Sequence, residues 1–145
     1  MRASLQLALF GRIALAAGLG YLIGLERQFR GKEAGDRTFA LLGMGSAALV
    51  GLGIELFPLS ADRVIQGVAT GIGFLGGGII LRRSDRVRGL TTAAAIWAAT
   101  AIGVLCGVKL YLVACLSTAL SLVLLESIEF PGLRRFEERT DQSED

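Results

Sequence analysis

Charged and hydroxyl side chains stand at the ends of apolar stretches in this chain, and their types suit the binding of an anion. Seven of them flank the first, second and fourth stretches: Glu26, Arg27, Arg37, Thr38, Arg88, Thr91 and Thr92. A helix N-terminus offers free backbone N–H groups, and neighbouring arginines would complete a site for a phosphate or a lipid headgroup. The alternative is that the arginines only set the topology and anchor the chain to membrane lipids. We favour a binding role for Glu26, Arg37 and Arg88, which stand where a second helix can reach them.

Oxygen-bearing side chains along the third apolar stretch would suit a hard cation. Mg²⁺ takes oxygen ligands and keeps several of its waters. The side chains available along such a path are Glu26, Asp62, Gln66 and Thr70, with the carboxylates of Glu26 and Asp62 as metal ligands at its two ends. The sequence indicates no cofactor other than this Mg²⁺.

Asp62 and Arg63 also have a purely structural interpretation. In the segment Ser60-Ala-Asp-Arg63, Ser60 would cap the third helix, and Asp62 would be stabilised by the positive end of the helix dipole. The sequence leaves both interpretations open.

Composition excludes several kinds of chemistry. The chain has no histidine, so histidine-ligated zinc, a Ser-His-Asp triad and an imidazole proton relay are all ruled out. Cys106 and Cys115 are not spaced as metal ligands, and both fall near the ends of apolar stretches, where thiols act as small apolar residues. We therefore expect no enzyme. The net charge is only +2 and the tail is acidic, so we expect no nucleic-acid partner either.

Five apolar stretches predict an all-α, polytopic membrane protein with five transmembrane helices. Each is close to the roughly 20 residues that a helix needs to cross a ~30 Å hydrocarbon core. They run over residues 4–25, 39–57, 64–81, 90–108 and 110–125. Gly107 and Lys109 predict a tight reversal between the last two. Residues 1–125 would form one transmembrane domain and residues 126–145 a short polar tail, and no cleavable signal peptide is evident.

The basic residues predict how the chain is oriented. Most of the fifteen lysines and arginines lie in the loop after the first stretch, in the loop after the third, and in the tail. Short loops rich in basic residues stay in the cytoplasm. The N-terminus should therefore lie outside and the C-terminus inside the cell.

Two charged residues fall within apolar stretches. Arg12 lies in the first stretch and Glu55 lies near the end of the second, so both belong to the outer half of the membrane. Pairing would remove the cost of two lone charges there, and we predict an ion pair between them. The alternative is that both side chains reach the outer interface.

Glycine is frequent, at twenty residues, and several glycines are four residues apart. Such pairs let helix backbones approach closely in a membrane; they are Gly20 with Gly24, Gly67 with Gly71, Gly73 with Gly77, and Gly103 with Gly107. Glycines also cluster in the third stretch, where each costs about 1 kcal/mol against alanine in a helix. We therefore expect this stretch to break and to form the wall of a binding site or pathway. The glycines that would break or pack the helix are Gly71, Gly73, Gly76, Gly77 and Gly78.

The same segments carry a family resemblance. They are Gly24-Leu-Glu-Arg27, Ala34-Gly-Asp-Arg-Thr38, Gly71-Ile-Gly-Phe-Leu-Gly-Gly-Gly-Ile-Ile-Leu81 and Val87-Arg-Gly-Leu-Thr-Thr-Ala-Ala94. In order and spacing, over about residues 15–108, they resemble the MgtC/SapB family of bacterial inner-membrane proteins. The resemblance implies a five-helix membrane domain with the N-terminus outside. Longer members carry a soluble C-terminal domain, whereas a short polar tail follows the helices here.

The resemblance leaves two classes of function. Members are linked to growth when magnesium is scarce and to acid stress and virulence, and the best-known member is thought to regulate rather than transport, with the rotary ATP synthase as one proposed partner. We expect a regulatory or interaction protein of the inner membrane. The alternative is a small transporter or channel for Mg²⁺ or another ion, with its path along the glycine-rich third helix. Membrane lipids and a second copy of the chain are expected partners in either case.

Overall fold

Five α-helices form the described part of the fold, which is taken from a computed structural model. The structure describes residues 3–83 and 86–126, without the side chains of 81–88. The helices are α1 (Ala3–Phe29), α2 (Asp36–Leu56), α3 (Ala61–Ile79), α4 (Leu90–Gly107) and α5 (Tyr111–Glu126), and a 3₁₀ turn at Pro58–Ser60 precedes α3. An antiparallel hairpin of β1 (Leu81–Arg83) and β2 (Arg86–Arg88) joins α3 to α4. Apart from Glu126, the predicted polar tail lies outside the described residues.

The helices confirm the all-α prediction and the five predicted segments. Three of them, α1, α2 and α4, are long and apolar enough to cross a membrane, and α5 is a shorter apolar helix. α3 is less apolar because Asp62, Arg63 and Gln66 fall inside it. α1 continues past its apolar stretch to Phe29, since Glu, Arg and Gln are good helix formers.

The centre of the bundle consists of α1, α2 and α4, which approach closely at glycines. A side chain at Gly20 would overlap the carbonyl oxygen of Phe39 in α2, and one at Gly103 would overlap the hydroxyl group of Ser46. Small residues permit such contacts in a membrane, where no hydrophobic effect drives helices together. The close packing predicted for the two glycine pairs that contain these residues is confirmed.

The third helix is continuous. α3 passes through Gly76, Gly77 and Gly78 and ends at Ile79, so the predicted helix break is wrong. Three glycines weaken a helix by about 1 kcal/mol each. Each backbone group left without a hydrogen bond in an apolar surrounding costs several kcal/mol. Keeping the helical hydrogen bonds is therefore the state of lower free energy.

Most glycines of α3 pack against none of the described residues. A Cβ atom would meet no described atom within 4 Å at five of them: Gly67, Gly71, Gly73, Gly77 and Gly78. Gly76 is the exception, since its Cβ would lie 3.8 Å from that of Ala93. The packing predicted for the Gly67/Gly71 and Gly73/Gly77 pairs therefore has no partner helix among the described residues of this chain. Among the described residues of α3, Ile72 alone is buried, so one face of this helix has no partner in the part of the chain that the structure describes.

The reversal between α4 and α5 lies where the sequence predicts it. Lys109 has a φ of 70°. Its N–H donates to the carbonyl of Cys106 at 3.1 Å, and the N–H of Leu110 donates to that of Leu105 at 2.9 Å. This is a Schellman arrangement, which is usually built on glycine. The turn aims the Lys109 side chain at Glu55, as described below.

The basic loop between α3 and α4 forms a short hairpin. Its strands pair from Leu81 opposite Arg88 to Arg83 opposite Arg86. The sequence predicts only a loop here, because three-residue strands are too short to show an alternating apolar pattern. The hairpin returns the chain directly from the end of α3 to the start of α4.

Candidate functional site

A polar cavity of about 350 Å³ lies where the end of α1 meets the start of α4. We call it the Arg27 pocket. Its lining residues are Arg27, Gly31, Lys32, Glu33, Gly89, Leu90, Thr91 and Thr92. The volume falls within the range of small-molecule sites in proteins, so the pocket has room for a ligand larger than a water molecule.

The end of α1 gives the pocket its first wall. Gly31 has a φ of 61°, which glycine adopts without strain. Its N–H donates to the carbonyl of Gln28, and the N–H of Lys32 donates to that of Arg27, both at 3.0 Å. These two bonds form a Schellman motif that stops the helix and reverses the chain. Lys32 and the following Glu33 are thereby placed beside the start of α4.

Arg27 is the buried charge of the pocket. Its side chain is only 2 % exposed. Its Nη1 lies 3.3 Å from Oε2 of Glu26, a long contact for a charged pair, and its Nε has no hydrogen-bond partner within the described part of the chain. The Glu26 carboxylate is shared with Arg30, whose Nε lies 2.5 Å from Glu26 Oε1. Arg27 therefore retains donor capacity that its neighbours do not use.

Glu33 connects the loop to α4. The hydroxyl of Thr92 donates to Oε2 of Glu33 at 2.9 Å. The pKa of the Glu33 carboxyl is lowered by its own backbone N–H, then by the Thr92 hydroxyl, and to a smaller extent by the charges of Lys32 and Arg27. Glu33 is thus a carboxylate at neutral pH, and its negative charge partly offsets those of Lys32 and Arg27.

The start of α4 gives the pocket its other wall. Gly89 occupies the N-cap position with a φ of 85° and supplies no side-chain cap. A side chain there would overlap the carbonyl oxygen of Ile79, so the close approach of α3 requires glycine. The first intrahelical bond is donated by the N–H of Ala93 to Gly89. The N–H groups of the α4 residues before Ala93 have no acceptor within the helix. These N–H groups lie at the pocket.

The structure brings together some of the predicted site residues and separates others. Arg27, Thr91 and Thr92 line the Arg27 pocket, and Glu26 adjoins it through its ion pair with Arg27. Arg37 and Thr38, at the start of α2, are exposed and do not line this pocket. The side chain of Arg88 lies outside the described residues, although its backbone directly precedes the pocket-lining Gly89.

Sequence reasoning missed Lys32 and Glu33. Both sit in the first basic loop; the sequence prediction uses Lys32 only as one of the basic residues that set the topology, and it gives Glu33 no role. The Gly31-Lys-Glu33 segment directly after a helix is a recognisable signal for a helix stop followed by two charged side chains. Nothing in the sequence pattern, however, relates Glu33 to Thr92, which is 59 positions further along the chain.

A second charged cluster lies at the opposite end of the bundle. Nη2 of Arg12 lies 2.9 Å from Oε1 of Glu55, and Nζ of Lys109 lies 3.3 Å from the same oxygen. Nη1 of Arg12 also reaches the carbonyl oxygen of Gly107, at 3.4 Å. The predicted Arg12–Glu55 ion pair is confirmed. The cluster joins α1, α2 and the end of α4, and we call it the Arg12 cluster.

The predicted ion path along α3 does not converge on one site. Asp62, Arg63, Gln66 and Thr70 are exposed on α3. Asp62 is in the first turn of α3, at the opposite end of the bundle from Glu26. The described residues contain no group of three or more His, Cys, Asp or Glu placed to hold a metal ion.

The start of α3 agrees with the predicted helix cap in part. Ser60 occupies the N-cap position and Asp62 lies in the first turn, as predicted. The Ser60 side chain nevertheless makes no capping hydrogen bond, so that part of the prediction is wrong. Ser60 closes a 3₁₀ turn through its N–H, which donates to Phe57 at 2.9 Å, and its ψ of 15° departs from the extended conformation that a capping residue usually adopts.

Apolar grooves flank α3 on both sides. One of about 450 Å³ lies against α2, between residues such as Leu42 and Val68, and one of about 270 Å³ lies against α4, beside Trp97. Val68, Ile72 and Thr100 contribute to both grooves. The Thr100 hydroxyl donates to the carbonyl of Ile96 in its own helix. α3 therefore contacts the bundle along a narrow line.

Comparison with known proteins identifies the relatives of this chain. A model of the MgtC family matches residues 13–131. Protein SrpB of Synechococcus elongatus is 41 % identical over 138 residues, which cover 85 % of this chain and 76 % of SrpB. Protein MgtC of Brucella abortus is 43 % identical over 125 residues, covering 81 % of this chain and 52 % of that protein.

The relatives differ in how much of their own length is matched. Protein MgtC of Salmonella typhimurium is 48 % identical over 89 residues, which cover 61 % of this chain and only 38 % of that protein. The chain thus spans about three quarters of SrpB but about half or less of the two MgtC proteins. No solved structure matches.

Proposed function

This chain belongs to the MgtC family, and from that membership we propose that it is a regulatory or interaction protein of the bacterial inner membrane, active when magnesium is limiting or under acid and virulence stress. It acts by contact with other membrane components and not as an enzyme. Family membership and the apolar helices support the membrane location. The rotary ATP synthase is a partner worth testing because the family resemblance suggests it.

We further propose that all five helices cross the membrane, with the N-terminus outside and the C-terminus in the cytoplasm. The distribution of basic residues supports this orientation. α3, of 19 residues, and α5, of 16, would cross beside α1, α2 and α4, which are long and apolar enough to span a membrane. In this arrangement the Arg27 pocket faces the cytoplasm and the Arg12 cluster faces the outside.

The observation that carries the proposal is the face of α3 that no described residue covers. Gly73 and Gly77 are exposed and have open space where a side chain would lie, and Phe74 between them is 86 % exposed. Glycines four residues apart are the usual means by which a membrane helix receives another helix. A second copy of the chain is the proposed occupant, so the protein works as a homo-oligomer.

Transport of Mg²⁺ is the weaker alternative. A path along α3 would run past Gln66 and Thr70 and beside the groove between α2 and α3. That groove is lined mainly by apolar side chains, and its hydroxyl groups, on Ser46 and Thr100, already donate to carbonyls of their own helices. Such a lining offers little to a strongly hydrated cation that requires oxygen ligands.

The experiment is growth at low magnesium of a host strain that depends on this protein, combined with light-scattering measurement of its size in detergent. The double variant Gly73→Leu/Gly77→Leu adds bulk to the open face of α3, at two positions where a Cβ atom meets nothing within 4 Å among the described residues. We expect it to be folded and inserted, to lose the oligomer, and to fail to support growth.

The matched control is Gly11→Leu/Gly18→Leu in α1, where a Cβ atom also meets nothing within 4 Å among the described residues. It should behave as the unmodified protein in both measurements. Equal growth and equal size for the two double variants would overturn the role of α3.

A further inference from the structure

We propose that the Arg27 pocket binds a phosphate group. The proposal goes beyond the regulatory function and does not depend on it. The pocket combines a buried arginine, a helix N-terminus and a lysine around a cavity of about 350 Å³. Each of these three features is argued separately below.

Arg27 is the first feature. An arginine that is 2 % exposed is expected to satisfy its donors within the protein, because an unpaired buried donor is costly. Here Nε has no partner in the described part of the chain, and the Glu26 contact of Nη1 is long, at 3.3 Å. The guanidinium group has five N–H donors in a fork that matches the oxygens of a phosphate. Its place in the wall of the cavity and its unused donors point to an anionic ligand.

The N-terminus of α4 is the second feature. α4 begins at Leu90 after Gly89, which has no side chain to cap it. The backbone N–H groups of Leu90 and Thr91 are therefore available at the pocket, with the positive end of the helix dipole behind them. Thr91, whose side chain carries a hydroxyl group, lines the same wall. Helix N-termini bind phosphate through these groups.

The balance of charge is the third feature. Arg27 and Lys32 bring two positive charges to the lining, and Glu33 brings one negative charge. The Glu33 carboxylate accepts the Thr92 hydroxyl, which holds it at one side of the cavity. Among the described residues next to the lining, Glu26 and Arg30 are paired with each other. The lining of the pocket therefore has a net positive charge and contains one negative group, Glu33. Removing that negative charge gives a separate test of the proposal.

Two sources could supply the phosphate group: free inorganic phosphate or the headgroup of an anionic lipid. Exposed apolar residues near the pocket, such as Phe29 and Leu90, would lie at the membrane surface, within reach of both. The experiment therefore has one arm for each source.

The first arm titrates inorganic phosphate into the full chain in phosphate-free maltoside micelles and follows binding by calorimetry and by ³¹P line broadening. We expect saturable binding. Arg27→Gln should weaken it about tenfold or more, since hydrogen bonds to charged groups are the strong ones. Lys32→Gln should weaken it by about threefold, because Lys32 is exposed and its charge is screened by solvent.

Glu33→Gln gives the discriminating result. Removal of the one negative charge in the lining should strengthen phosphate binding by about threefold. Arg63→Gln is the matched control, because it removes one positive charge at the far end of α3 from the pocket, and it should leave the affinity unchanged. If Arg27→Gln fails to fold, the opposite responses of the Lys32 and Glu33 variants decide the question.

The second arm measures by native mass spectrometry how much phosphatidic acid or phosphatidylcholine stays bound after mixing in maltoside micelles. Retention of phosphatidic acid with the same variant pattern, without binding of inorganic phosphate, would identify a lipid headgroup as the ligand. The proposal is overturned if neither probe binds, or if Lys32→Gln, Glu33→Gln and Arg63→Gln change the affinity equally.

Discussion

At the scale of single residues, the Arg12 cluster explains how a charge is kept inside an apolar helix. Arg12 is 4 % exposed, and a lone arginine at the centre of a membrane helix costs at least about 2.5–3.5 kcal/mol. The carboxylate of Glu55 and the carbonyl of Gly107 accept hydrogen bonds from the Arg12 guanidinium group. The sequence could predict this pair because both charges fall within apolar stretches at similar depth. It could not predict that Lys109 joins them, since that depends on the positive φ of the turn.

Loss of Glu55 should destabilise the bundle. Glu55→Gln leaves the buried guanidinium of Arg12 without its counter-charge, and breaking a buried pair costs more than the pair itself contributes. We expect the midpoint of thermal unfolding in detergent to fall by about 5 °C or more. Lys109→Gln, which removes a 51 % exposed partner of the same oxygen, should have a smaller effect.

The double variant Arg12→Gln/Glu55→Gln separates pairing from other effects. Its loss of thermal stability should be clearly smaller than the sum of the two single losses, since the second substitution removes a partner already lost. Additive losses would show that the two charges do not stabilise each other.

At the scale of helices, identical glycine spacing produces two different outcomes. The pair at Gly20 packs α1 against the backbone of α2, whereas the pair at Gly73 has open space around it. The i, i+4 pattern is the same in both, so the sequence could predict that glycines face something but not whether that partner lies in the same chain. The sequence also could not predict that α3 is continuous. The low helix propensity of glycine suggests a break, but in an apolar environment the backbone keeps its helical hydrogen bonds.

Gly20→Ala and Gly73→Ala should therefore have opposite effects on the monomer. At Gly20 the new methyl group would overlap the carbonyl oxygen of Phe39, and overpacking of this kind costs about 1–3 kcal/mol. At Gly73 nothing is displaced, and alanine favours the helix by up to about 1 kcal/mol. Thermal unfolding of the two variants under monomeric detergent conditions measures this directly. Equal destabilisation of both would mean that α3 packs within the chain.

At the scale of the whole molecule, charge is concentrated at the two ends of a largely apolar bundle. The basic loops predict this arrangement from sequence, because they alternate with apolar stretches. The Arg27 pocket could be predicted only in part: Arg27 and Thr92 stand at helix ends, but Glu33 reaches Thr92 through a helix stop at Gly31 and a contact distant in sequence. Such a contact arises from helix packing and leaves no local pattern.

The proposed orientation predicts which end of the bundle is accessible from outside the cell. In a Cys106→Ala/Cys115→Ala background, the single variants Lys32→Cys and Arg63→Cys place one thiol at each end. A membrane-impermeant maleimide should label Arg63→Cys in intact spheroplasts and label Lys32→Cys only after permeabilisation. The reverse labelling pattern would show that the protein has the opposite orientation. Labelling of both variants in intact spheroplasts would rule out a single orientation.

The central claim is that this member of the MgtC family acts on partners and does not carry Mg²⁺ across the membrane. The most direct test is Mg²⁺ flux into sealed proteoliposomes that contain the purified full chain, with an imposed membrane potential and an ionophore as positive control. We predict no uptake above that of protein-free vesicles. Uptake that the double variant Glu26→Ala/Asp62→Ala abolishes would contradict the account and establish a transporter.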